Sequence, residues 1–264
     1  MEPPAGARSF LTSGDAYDAF MGRYSRSLAT EFADSAGVAA GQRVLDMGCG
    51  PGALTGELVR RLGTDRVHAF DPSPPFVADC SARHPGVDVR AGRAEAIPFD
   101  DGGFDAVLAQ LVLHFVSEPA TAVAEMRRVA RPDGVVGACV WDFAEGMQML
   151  RLFYDAALAV DPAAPDEARL MRFGNPGELR DLFEAGGLVD VVETTLQVSA
   201  GYTDFDELWA GFMAGIGPAG SYLVALPEDR RAAVRGEFFE RIGAPDAGFS
   251  LTAVARSAHG RSPG

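Results

Sequence analysis

Val44-Leu45-Asp46-Met47-Gly48-Cys49-Gly50-Pro51-Gly52 decides how this 264-residue chain folds. A short apolar run enters three alternating glycines, after which Leu54, Leu58 and Leu62 recur at helical spacing, so the stretch reads as a buried strand turning sharply into a helix. Glycine at each turn position lets the backbone bend and approach a ligand with no Cβ in the way. Three readings fit such a loop: a tight turn that binds nothing, a dinucleotide-binding loop, and a site for a ligand carrying positive charge. Asp46 argues against the dinucleotide, because a pyrophosphate held by a helix N-terminus wants N–H groups and helix dipole, not a carboxylate at the strand end. A cationic group would want that carboxylate.

Outward from the loop, residues 43–141 alternate short β-branched runs with helical segments. Strands are expected at 43–47, 67–70, 87–91, 104–109 and 135–141, each apolar on both faces as a parallel sheet covered by helices requires. Before the fifth, Ser117 reads as a cap, Val123, Met126 and Val129 as one buried face, and Pro132 with Gly134 as the stop. An N-terminal helical region over 15–37 places Leu28, Phe32 and Ala36 on one face. Further helices are expected over 147–160, 175–185, 205–216 and 228–242, with Asn175, Pro176 and Glu178 as N-cap, N1 and N3 of the second. Strands at 189–198 and 249–255 complete the pattern, which makes 205–242 an insertion covering the open end of the sheet. The expected division is a helical cap over 1–40, a sheet domain over 41–202 and 244–257, and a helical lid over 203–243. Residues 1–12 and 257–264 read as frayed.

Composition narrows the function. With 47% apolar and 23% charged residues the chain has a core to bury. All 23 basic residues are arginine against 37 acidic ones, a formal charge of −14, which repels nucleic acid at long range. No apolar run has the length of a signal peptide or a membrane span, and Cys49, Cys80 and Cys139 are widely spaced with no CxxC. The expectation is a cytoplasmic protein with no membrane, nucleic-acid or metal partner.

Phe70-Asp71 ends the second strand nineteen residues past Gly52, where an acid can accept both hydrogens of a ribose diol. At this point the chain resembles the class I S-adenosylmethionine-dependent methyltransferases, in the small-molecule branch typified by ubiquinone and menaquinone biosynthesis. The resemblance is carried by the 44–52 loop, Asp71, Ala94-Glu95-Ala96-Ile97-Pro98-Phe99, Phe104-Asp105-Ala106-Val107 leading into Leu111-Val112-Leu113-His114, and Arg128-Val129-Ala130-Arg131-Pro132-Asp133-Gly134. Tyr17 and Gly22-Arg23-Tyr24-Ser25 are similar to the N-terminal signature of bacterial relatives.

The resemblance implies a Rossmann-like α/β fold, a seven-stranded, mostly parallel sheet with a reversed last strand. It implies S-adenosylmethionine as cofactor, with Asp46, Gly48, Cys49, Gly50 and Gly52 at its methionine end and Asp71 with Pro72 at the ribose. Arg93, Ala94 and Glu95 would lie at the adenine, Gln110 and Leu111 near the methyl, and Tyr17 and Arg23 would close from the cap. Many relatives have Asp where this chain has Arg93, which accepts no hydrogen bond, so adenine would be held by Glu95, or by stacking on the guanidinium, the preferred reading, or less tightly than in those relatives.

Methyl transfer from a sulfonium needs alignment and exclusion of water, and a base where the acceptor is a hydroxyl or acidic carbon. His114 is the candidate base, although a histidine ending an apolar run also serves plain packing. Tyr24, Trp141, Phe143 and Trp209 are candidates for the acceptor pocket. The expected activity is methylation of an O, N or C atom of a small molecule, including secondary metabolites. The alternative is a protein that binds the cofactor without transferring methyl, as a cyclase or interaction partner.

Overall fold

The computed structural model describes residues 18–166, 169 and 171–264. Seven strands form one sheet in the order β3-β2-β1-β4-β5-β7-β6. They are β1 (Val44–Met47), β2 (Val67–Asp71), β3 (Asp88–Ala91), β4 (Phe104–Gln110), β5 (Ala130–Trp141), β6 (Val189–Tyr202) and β7 (Phe249–Arg261). The pairings among β1 to β5 are parallel, whereas β7 lies antiparallel between β5 and β6.

Period-two alternation serves both faces. Val44, Ala106 and Leu108 pack with Leu28 and Phe32 of α1 (Arg23–Ser35), Leu54 and Leu58 of α2 (Ala53–Leu62) and Phe153 of α5 (Gln148–Val160). Leu45, Met47, Val107 and Ala109 face the other way, onto Val123 and Met126 of α4 (Pro119–Val129) and Phe183 of α6 (Glu178–Ala185). Helix α3 (Pro74–Arg83) follows β2 and buries Phe76 and Cys80. The result is a three-layer α/β/α architecture, the Rossmann-like fold expected.

Strand order reverses beside β1: β2 and β3 extend to one side, β4 and β5 to the other. The segments leaving β1 and β4 therefore diverge, opening a crevice at the carboxyl ends of these strands.

The insertion consists of α7 (Phe205–Met213), α8 (Gly217–Ala225) and α9 (Glu228–Ile242). The single helix expected over 205–216 breaks after Met213, with α7 and α8 bent by 87°. Gly215 (φ 74) and Gly217 (φ 66) supply the left-handed backbone the elbow requires, while Ile216 between them remains buried. No single helix among the described residues is long and apolar enough to cross a membrane.

Three local readings need correction. Helix α6 begins at Glu178, preceded by Gly177 in the left-handed conformation (φ 89), although Asn175 N and Nδ2 do donate to the Glu178 carboxylate as a capping residue would. Helix α4 is preceded by Glu118, not Ser117, because Pro119 occupies its first turn and fixes φ there. Strand β5 starts at Ala130: residues 131–134 form a bulge between the Phe104–Ala130 and Ala106–Val135 pairings, with Asp133 at φ 61.

The largest correction concerns 257–264. Strand β7 runs on to Arg261, and Ser257 and Ala258 are fully buried. The run Ser257-Ala258-His259-Gly260 lacks a bulky apolar pattern because it is interior to the sheet and tightly approached: a Cβ on Gly260 would lie 3.0 Å from Val191 Cγ2 and 3.1 Å from Val189 O. Strand β6 joins the sheet through β7. Deleting residues 257–264 is therefore expected to abolish the cooperative thermal transition, followed by circular dichroism, where loss of a frayed tail would leave it unchanged.

Candidate functional site

A cavity of about 420 Å³ occupies the crevice, lined from the ends of β1, β2 and β4, from α3, and from the segments 93–95 and 111–117. Asp46 lies on its wall, 1% exposed, and Thr55 Oγ1 from the first turn of α2 donates to its Oδ2 at 2.6 Å. Burial pushes the Asp46 carboxyl up to about 7, the Thr55 hydrogen bond opposing and the nearby Asp71 reinforcing the shift. A buried carboxylate with one hydrogen-bond donor and a second acid close by calls for a cation.

Asp71 is tied into the loops on both sides. Gly50 N donates to its Oδ2 at 2.9 Å and Ser73 N to its Oδ1 at 2.8 Å, so each oxygen keeps one lone pair for a further donor. Burial raises its pKa, against these two backbone hydrogen bonds. Gln110 Nε2 donates to Ser25 O at 2.9 Å, leaving the buried Oε1 without a partner on the same cavity. Leu111, next in sequence, sits in the left-handed region (φ 62), a strained conformation of the kind that clusters at functional sites.

The three glycines do different things. Gly50 (φ 53) has open space where a Cβ would stand and lines the cavity. Gly48 (φ 72) admits Val112, whose Cγ2 would lie 2.6 Å from a Cβ. Gly52 (φ 98) does not line the cavity. It makes room for His84 of the segment after α3, whose Nε2 would be 2.7 Å from a Cβ and in fact contacts Gly52 O at 3.0 Å.

Other expected contacts divide in the same way. Cys49, Pro72, Arg93, Ala94 and Glu95 all line the cavity, with the Arg93 side chain 72% exposed and 3.6 Å from the Glu95 carboxylate. Arg23 does not line it: its guanidinium donates to Gly201 O and Glu207 Oε1, both at 2.8 Å, and lies over the Tyr202 ring. Tyr24 is fully buried, its hydroxyl 3.1 Å from that of Tyr202, and Trp209 stacks on Phe205. Arg23 thus joins the cap to the insertion, Tyr24 joins it to β6, and Trp209 packs within α7; none of the three lines the cavity. Tyr17 lies outside the described residues.

His114, Trp141 and Phe143 meet in a second, smaller cavity with Leu111, Phe115, the Asp18–Gly22 π-helical turn and the α7–α8 elbow. Leu111 and Phe115 line both cavities and divide them. Burial, aided by the Arg172 charge, pushes His114 down to about 3, so the ring is neutral near pH 7. Sequence reading missed Thr55, Ser25, Phe76, Val112 and Phe115. Their residue types signal nothing, and each reaches the site only because a neighbouring motif puts its helix or turn there. Among the described residues no cluster of His, Cys, Asp or Glu could hold a metal.

Residues 45–137 match a family described as methyltransferase domain. An uncharacterised methyltransferase of Mycobacterium bovis is 46% identical over 104 residues, 39% of this chain and 41% of that protein. A demethylmenaquinone methyltransferase of Renibacterium salmoninarum is 43% identical over 101 residues, 38% of this chain and 42% of that one. The matches thus span about two fifths of these relatives' length. A phosphoethanolamine N-methyltransferase of Haemonchus contortus shares the fold at 16% identity, with a TM-score of 0.59 over 95% of this chain and 57% of that one. The family match falls on the span that carries the glycine loop, Asp71 and the strand-end motifs.

Because Asp71 holds the loops as well as facing the cavity, Asp71→Ala should leave the Gly50 and Ser73 N–H groups unsatisfied and cost about 1–3 kcal/mol of stability without any ligand. Urea unfolding of the ligand-free variant checks this.

Proposed function

We propose that the chain built on this methyltransferase domain moves a methyl group from S-adenosylmethionine to an O, N or C atom of a small-molecule acceptor. The observation that carries the reading is the pairing, in one cavity, of acceptors suited to a cation, Asp46 and the unpartnered Gln110 Oε1, with an acid suited to a ribose diol, Asp71. Bound there, S-adenosylmethionine supplies a methyl group on a positively charged sulfur, whose transfer breaks the carbon–sulfur bond, leaves a neutral thioether and, for a protonated acceptor, releases one proton.

The chain's own residues do the rest. Asp46 and Gln110 Oε1 take the ammonium of the methionine end, and Asp71 the ribose hydroxyls. Ala94 and Glu95, with Arg93 at the mouth, take the adenine, and Phe76, Val112 and Phe115 supply apolar walls that exclude water. The acceptor enters past Leu111 and Phe115 from under the elbow of the insertion, which serves as the lid, and its reacting atom meets the methyl within the cofactor cavity. His114 stands there as a neutral ring. Its depressed basicity suits orienting an acceptor group better than storing a proton, so alignment carries most of the rate. Three buried free cysteines suit a reducing compartment such as a bacterial cytoplasm.

S-adenosylmethionine at a hundred times its Kd should stabilise the protein by about 2.7 kcal/mol and raise its Tm, while NAD should leave Tm unchanged. A shift with NAD alone overturns the assignment. Binding without release of the demethylated cofactor, across a broad set of acceptors, would move the non-methylating alternative ahead.

Affinity should also depend on pH. The ligand's ammonium favours ionised Asp46, which in the free protein titrates at about 7. Affinity therefore rises as pH climbs through 7, and falls up to tenfold per pH unit below it. Calorimetry in buffers of different ionisation enthalpy should record proton release on binding near neutral pH, and Asp46→Asn should flatten this dependence while weakening binding.

A further inference from the structure

Between β3 and β4 the chain runs through residues 92–103 with no helix or extended strand. This segment supplies the end of the large cavity assigned above to adenine: Arg93, Ala94 and Glu95 line it, in a turn closed by Ala96 N on Arg93 O at 3.1 Å. A turn without neighbouring regular structure is only as well placed as the backbone that follows it. Recognition by hydrogen bonds needs the participating groups held to about 0.5 Å.

Three consecutive carbonyls beyond this turn each accept from a guanidinium. Arg128 Nη2 donates to Ile97 O at 3.0 Å, Arg90 Nη1 to Pro98 O at 2.7 Å and Arg128 Nη1 to Phe99 O at 3.0 Å. The Ile97 N–H is taken as well, by Glu125 Oε2 at 2.8 Å. Glu125 and Arg128 stand one turn apart on α4 and are themselves joined, Nε to Oε1 and Nη2 to Oε2, both at 2.7 Å, while Arg128 Nη1 also donates to Asp101 at 2.6 Å. One planar fork thus serves two carbonyls and two carboxylates, which an ammonium with all its donors on a single atom cannot span. Helix α4 is anchored in the core by Val123, Met126 and Val129, so these bonds tie the segment to the helix and not the helix to the sheet. Neither Glu125 nor Arg128 lines the large cavity. The Arg128 hydrogen bonds hold the Glu125 carboxyl below the usual carboxylate range, so the clamp stays ionised across the neutral range in which Asp46 titrates.

We infer that Glu125 and Arg128 are positioning residues for the base of the cofactor. By fixing the backbone at 97–99 they hold Glu95 where it accepts from the adenine amine, and so set the preference for adenine over a base with a carbonyl at that place. The inference rests on the reading of the cavity as an S-adenosylmethionine site. Arg93, whose side chain is 72% exposed, leans 3.6 Å from the Glu95 carboxylate, which is 20% exposed on the cavity wall and is the acceptor offered there. A carboxylate attracts an amine and repels a carbonyl oxygen, so its placement reads the base.

Calorimetry near neutral pH tests this with S-adenosylhomocysteine, the demethylated cofactor, and S-inosylhomocysteine, in which a carbonyl replaces the amine. Wild type should bind the adenosyl ligand about tenfold more tightly than the inosyl one. Arg128→Met should cut that preference to about twofold or less, chiefly by weakening S-adenosylhomocysteine, while the proton release that Asp46 gives on binding persists. Arg128→Lys keeps the charge without the fork; it should lose the preference to a similar extent, and it is the variant to read should Arg128→Met not fold. Equal proportional losses for the two ligands would mean general loosening, so a preference unchanged in the variants overturns the inference, as does a wild type with no preference. Failure of wild type to bind S-adenosylhomocysteine at all would instead sink the cofactor assignment itself, and this inference with it.

Discussion

The architecture is organised around a carboxylate placed where water cannot reach it. Asp46 ends the most central of the parallel strands with 1% exposure, and its ionisation is opposed by burial and by Asp71. Uncompensated, such a group costs several kcal/mol or keeps its proton. The chain gives it one donor, Thr55, and leaves the remainder of its valence facing a cavity. Two features near it follow: a helix starts close enough to bring Thr55, and a glycine loop turns without covering the acid.

The N-terminal helix takes part in this arrangement through its backbone. Ser25 O fixes the Gln110 amide, and so sets which end of that amide is left without a partner at the cavity that Asp46 also lines. Helix α1 is in turn held to the far side of the molecule by Arg23 on Gly201 and Glu207, and by the Tyr24–Tyr202 hydroxyl contact. Cap, β6 and the start of the insertion thus form one fastened unit over the site. The glycine-flanked elbow, where the insertion changes direction, lies beyond the residues these bonds fasten.

The division between the two cavities rests on the turn leaving β4. Leu111 is held in the left-handed region by a hydrogen bond from its N–H to Cys139 O at 2.8 Å, which swings the chain across the crevice. Val112 then fills the space Gly48 leaves, and Phe115 forms the common wall. Strain at one residue separates the chamber lined by Asp46 and Asp71 from one with no Asp, Glu or Arg in its lining.

How much of this was legible depended on how local the cause was. The glycine loop, Asp46, Asp71 and the five parallel strands could be read directly, since strand periodicity, turn chemistry and the character of a strand-end acid act within a few residues. The insertion was legible as a break in the strand rhythm, but its elbow was not, because Phe205, Trp209, Phe212 and Ile216 keep helical spacing across a bend that only packing and two left-handed glycines impose. Strand β7 beyond 255 was hidden for the opposite reason. Small residues that signal disorder in isolation are what an interior strand needs when its neighbours press close. The roles of Arg23, Tyr24, Trp209 and Gly52 were likewise decided by tertiary structure. Sequence identifies what a side chain can do, whereas which partner reaches it first is settled by elements up to 184 positions away, as between Arg23 and Glu207.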